Sequence, residues 1–99
     1  METHEQQFHS TYRDVGALFD WQPDLDRFDR EIAASRGTGR GDPLTLAEME
    51  CSLDLLEAEL IGLKARPKTD DSAASIAATS RLVARLTGQI AMMRRFVRE

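Results

Sequence analysis

A chain of 99 residues that is 41% hydrophobic and 30% charged, with a formal net charge of −4, describes one small globular domain rather than a disordered or membrane segment. The acid excess speaks against phosphate-backbone binding by the whole molecule, because nucleic-acid affinity rests on clustered Lys and Arg that release counterions. A single cysteine, Cys51, excludes an internal disulfide and fits a reducing compartment. No apolar run approaches ~20 residues, and METHEQQ lacks a basic n-region followed by an apolar h-region, so the expectation is a cytoplasmic protein with no membrane contact, export by a signal-less pathway staying open.

The fold class expected is all-α. Aromatic residues make up only 6% of the chain, so the core must be filled by Leu, Ile, Val, Met and Ala, which suits helix packing. Thr3 with Gln6 and Thr11 with Asp14 can each cap a first helix whose apolar face is Phe8, Tyr12, Val15 and Phe19, with Leu18 beside them. Pro23 breaks that pattern and opens a short second helix with Leu25, Phe28 and Ile32 on one edge and Asp24 and Asp26 near its positive end. Residues 1–36 thus read as an acidic, aromatic-bearing arm: eight acids stand against four arginines, and Phe96 is the only aromatic outside it.

Residues 37–44 read as a Gly-rich linker, since GTGRG holds three glycines and no apolar side chain. GTGRGDP has neither the Lys-Ser/Thr ending of a phosphate-binding loop nor a strand before it, and the tripeptide Arg40-Gly41-Asp42 is too short to carry a function. Asp42 before Pro43 has a local use as a turn or helix-start residue. Residues 45–99 read as a helical hairpin within one compact domain. Thr45 with Glu48 forms a capping-box pattern, Leu44 and Met49 a staple, and Leu46, Met49, Leu53, Leu56, Leu60 and Leu63 step by three and four along a helix over about 46–64. Lys64, Arg66 and Pro67 end it. Asp70, Asp71 or Ser72 then caps a last helix over about 73–98, whose stripe is Ile76, Thr79, Val83, Leu86, Ile90, Met93 and Val97, widened by Leu82 and Phe96. Two helices joined so closely pack antiparallel. At lengths of ~29 and ~39 Å they do not match, so the end of the last helix should overhang and need cover from the arm or from another chain.

Catalytic chemistry finds little here. His4 and His9 miss the i, i+4 spacing that puts two imidazoles on one helical face, Cys51 flanks the seam as a small packing residue without a basic neighbour, and the carboxylates lack Glu-x-x-His spacing. No catalytic, cofactor-binding or metal-binding residue is assigned, and an enzyme is not expected. The segment FDWQPDLDRF, residues 19–28, has two readings: its aromatics cover the overhang of the last helix, or Trp21 and Phe28 anchor in a partner. The protein-binding residues expected are therefore Trp21, Phe28, Met92, Met93, Phe96 and Val97, with Arg94, Arg95 and Arg98 as electrostatic contacts. The function these suggest is a small module that masks or regulates a partner protein through helix contacts, in the manner of a chaperone, inhibitor or antiactivator, with a homodimer as the simplest assembly. A structural subunit of a helical assembly is the alternative, and a nucleic-acid regulator using the C-terminal arginines stands behind both.

Overall fold

The computed structural model describes residues 20–97, and these contain three helices and no strand: α1 at Gln22–Thr38, α2 at Pro43–Lys64 and α3 at Asp70–Arg94. The first helix expected, capped at Thr3 or Thr11 and running to about Phe19, and the histidines at 4 and 9 lie outside the described residues.

Local chemistry moves each boundary from where spacing alone put it. Helix α1 starts at Gln22, with Pro23 in its first turn, where a missing N–H costs nothing, and Gln22 N–H donates to Asp20 Oδ1 at 3.0 Å. It is not short. It runs 17 residues and takes Gly37 and Thr38 from the expected linker, ending at Gly39, whose φ of 77° lies in the left-handed region that only glycine enters freely. Helix α2 starts at Pro43 rather than near Leu46, because Asp42 is the cap: its Oδ1 accepts from Leu44 N–H at 3.1 Å and its Oδ2 from the Thr45 hydroxyl at 3.0 Å. Thr45 is inside the helix, so the capping-box reading named the wrong residue by one turn. Helix α3 is capped by Thr69, one position before the three candidates: Thr69 Oγ1 accepts from Ser72 N–H at 3.0 Å, and Ser72 Oγ accepts from Thr69 N–H at 2.8 Å. It stops at Arg94, short of residue 98.

These shifts shrink the expected overhang. Helices of 22 and 25 residues differ by only ~5 Å in length, against the ~10 Å difference that the sequence suggested. The chain after Arg94 turns back instead: Phe96 N–H donates to Met93 O at 2.9 Å, and Gly41 N–H donates to Phe96 O at 2.8 Å. What read as a flexible linker is therefore a tight turn over residues 39–42, pinned against the end of α3.

Burial follows the two predicted stripes. Every member of the α2 and α3 seams is buried or half-buried, and Leu56 and Leu86 share one cluster with Leu53 and Val83 packed against it. Helix α1 adds Leu25, Phe28 and Ile32 to the same cluster, next to Trp21, Met49, Ile90 and Met93. Two ends are held together across helices by charge: Glu50 in α2 accepts from Arg94 of α3 at 2.8 Å, so the start of α2 lies beside the end of α3.

Candidate interaction surfaces

The structure brings most of the expected binding residues together, but turns them inward. Phe28 and Met93 are fully buried, Trp21 nearly so, and Met92, Phe96 and Val97 pack against the cluster they form. Cover for the last turns of α3 comes from α1 and the Gly41 turn of the same chain. The aromatics of residues 21–28 serve as core, because α1 is long enough to lie along α3 and close its apolar face. Of the residues expected at a homodimer contact, Met93 is fully buried, while Met92, Phe96 and Val97 are half-buried.

Three arginines, Arg27, Arg85 and Arg94, are paired with carboxylates of other helices. Arg94 holds Glu50, and Arg95 caps α3 with its side chain exposed, while Arg98 lies outside the described residues. Arg85 is the organising cation: its guanidinium donates to Gln22 Oε1 at 2.9 Å, Asp26 Oδ1 at 2.9 Å and Asp29 Oδ2 at 2.8 Å, fastening α1 to α3. Hydrogen bonds from Arg85 pull the Asp29 carboxyl below its ordinary pKa, burial opposing and Gln89 assisting; bonds to Asp26 and then Asp29 raise that of Arg85. Beneath this lies Gln89, buried, whose Nε2 donates to Leu25 O at 2.8 Å and to Asp29 Oδ1 at 2.7 Å. Both of its amide protons are used, so the amide has one orientation. On the other side of α1, Arg27 grips Glu48 of α2 through two bonds and lies 4.9 Å over the Phe28 ring. The Glu48 hydrogen bond is the main cause of a raised Arg27 pKa.

The surface the sequence reading missed is the outward side of α2. Leu44, Leu55 and Ile61 are 79%, 62% and 69% exposed. Leu44, Ala47, Cys51, Leu55, Ala58 and Gly62, all exposed, step by three and four, and Ile61 lies at their edge. They form a second apolar stripe opposite the buried line of Met49, Ser52, Leu56 and Leu63. Cys51 belongs to it. Two helical residues turn the chain by about 200°, so a residue two places from both Met49 and Leu53 sits on the far side of their seam rather than beside it. The signal is present in the sequence, since Leu44, Ala47, Cys51, Leu55, Ala58 and Gly62 repeat at helical spacing just as the buried seam does.

Around this stripe the helix is acidic: Glu48, Glu50, Asp54, Glu57 and Glu59 stand against Lys64 alone. Glu48 and Glu50 are neutralised by Arg27 and Arg94, whereas Asp54, Glu57 and Glu59 make no ion pair with a described residue. Shallow grooves lie elsewhere, one lined by Trp21, Ala78, Leu82 and Arg85, another by Gly39, Gly41 and Phe96; neither gathers a nucleophile with a base. Among the described residues no group of three or more His, Cys, Asp or Glu is placed to hold a metal, and no helix is long and apolar enough to cross a membrane. No protein-family model matches the chain, and neither a curated protein nor a solved structure shows significant similarity to it.

Proposed function

We propose that α2 and α3 form an antiparallel helical hairpin clasped by α1, and that the chain is a cytoplasmic protein-binding module that docks a helix of its partner on the outward face of α2. The observation that carries this is the exposed stripe itself. Three large aliphatic side chains stay in water on a helix whose other side already supplies the core, in a domain small enough to need its apolar residues inside. Helix-in-groove recognition uses apolar anchors at i, i+3, i+4 and i+7, the spacing present here. Binding there would mask the partner's apolar surface, which is the chemistry of a chaperone or inhibitor. The net charge of −4, with Arg27, Arg85 and Arg94 held by carboxylates of the same chain, weighs against the nucleic-acid alternative, which needs clustered free cations to displace counterions.

The test is capture from the native host with wild type and with a Leu55→Asp, Ile61→Asp double variant. A partner held by the wild type and lost by the variant, with circular-dichroism melts unchanged, is the expected result. Equal recovery of every partner by the two proteins would remove α2 from the function.

A further inference from the structure

Resting on that docking face, we infer that its occupant is a basic-flanked amphipathic helix of a different protein: an apolar stripe bordered on both sides by Lys or Arg. The shape of the face sets the first part. Ala47, Cys51, Ala58 and Gly62 keep its floor low, while Leu44, Leu55 and Ile61 stand above it, so a partner backbone can come close and its own large side chains can lie between these three.

Charge sets the second part. Asp54 and Glu57 lie on one border of the stripe and Glu59 on the other, none of them held by a cation of the described residues, while the acids nearer the start of the helix are already occupied by Arg27 and Arg94. An incoming helix therefore meets uncompensated negative charge on both sides. A second copy of this chain is the wrong occupant. With both borders acidic, two α2 helices packed stripe to stripe bring acid against acid whether they run parallel or antiparallel, and like charges at an interface cost affinity directly. Lys or Arg at the positions flanking a partner's apolar seam turns the same borders into attraction, which speeds encounter and fixes which partner is taken.

The experiment uses the full chain and two labelled synthetic helical peptides sharing one Leu/Ala stripe, flanked by Lys in one and by Glu in the other. Binding is read by fluorescence anisotropy and by the alkylation rate of Cys51, which lies in the middle of the stripe. The expected result is that the Lys-flanked peptide binds at least ~10-fold tighter than the Glu-flanked one, slows alkylation, and loses its advantage in an Asp54→Lys, Glu57→Lys variant. Leu55→Asp should abolish the effect of either peptide. Equal binding of the two peptides, both lost in Leu55→Asp, would overturn the basic partner while leaving α2 as the docking face. Binding of neither peptide would overturn the inference, and the capture experiment then decides separately whether α2 has any partner. A chain that sediments as a dimer broken by Leu55→Asp assigns the face to a second copy. Slow Cys51 alkylation in the isolated monomer means the face is already covered by the chain itself. Each of these last two results also overturns it.

Discussion

Where α2 begins and α3 finishes, several elements converge: α1 lays Leu25, Phe28 and Ile32 against Met49, Ile90 and Met93, and the Gly41 turn closes over Phe96 and Val97. Where α2 finishes and α3 begins, the described residues offer only each other. Leu63 is buried there, Leu60 and Ile76 are half-buried, and residues 64–71 are all exposed. One end is a core with several walls, the other a two-helix seam. The lesson is that an a/d stripe says where a helix can be covered, while the length of the third element decides where it is covered fully.

The largest effects should fall at the closed end. Phe28→Ala removes a fully buried ring from between three helices and should cost about 3–5 kcal/mol, with Leu56→Ala at about 2–5 kcal/mol. A chemical-denaturation midpoint for Phe28→Ala close to that of wild type would mean that α1 does not close the core. At the open end, Leu63→Ala should cost about 2 kcal/mol, the low side of the range, because a seam with fewer walls can relax into the space left. Were Leu63→Ala as costly as Phe28→Ala, the contrast between the two ends would be broken.

The stripes on α2 and α3 and the helix opened by Pro23 were legible because each is a matter of spacing along one helix, whereas Trp21 and Phe28 fitted both a core and a docking segment until their burial was known. The caps were harder. Thr45 with Glu48 satisfied the capping pattern, but Asp42 offered a carboxylate three residues earlier, and Pro43 fits the first turn of the helix that follows. GTGRG looked flexible because composition reports what glycine permits, not what a neighbour demands. Gly39 is there for its positive φ, and Gly41 for lack of room: a Cβ on it would lie 2.8 Å from Val97 Cγ2, 3.0 Å from Met93 Sδ and 3.2 Å from Phe96 Cβ. That contact joins residues far apart in sequence, so no local pattern announces it. Nor did any pattern single out Arg85 or Gln89, whose partners lie on another helix.

Gly41 gives the next prediction. Gly41→Ala should cost about 1–2 kcal/mol, since neither the short Val97 side chain nor the Phe96 Cβ can move far without breaking the Gly41 N–H bond to Phe96 O. If the turn were the flexible linker its composition suggests, Gly41→Ala would leave the thermal midpoint unchanged or raise it, because alanine lowers the entropy of the unfolded chain.

A smaller effect comes from the lock between α1 and α3. Asp29 has a folded pKa below its unfolded value because Arg85 holds its charged form, so its contribution is present above the ordinary carboxylate range and is lost as pH falls through the folded pKa. The Asp29 side chain is 56% exposed, so solvent screening limits the contribution to about 0–1 kcal/mol. Denaturation midpoints followed from neutral to strongly acid pH should fall less steeply for Arg85→Met than for wild type. Parallel curves would show that the network orders side chains without adding stability.

The smallest effect on stability belongs to the outward face of α2, and its smallness is the point. Leu55 is 62% exposed and sits on the side of the helix away from Met49 and Leu56, so Leu55→Asp removes little buried surface. The new charge comes within one turn of Glu59, four residues on, a like-charge pair worth only a few tenths of a kcal/mol. The change in unfolding free energy should therefore stay within about 0.5 kcal/mol, the ordinary range for surface substitutions. Leu56→Ala, one residue along, should cost several times more. If Leu55→Asp proves as damaging as Leu56→Ala in urea denaturation, then the stripe is covered within the folded chain and α2 has no free face to offer. If stability holds while the helical peptides no longer bind, the two sides of one helix have been separated into the side that folds the protein and the side that meets its partner.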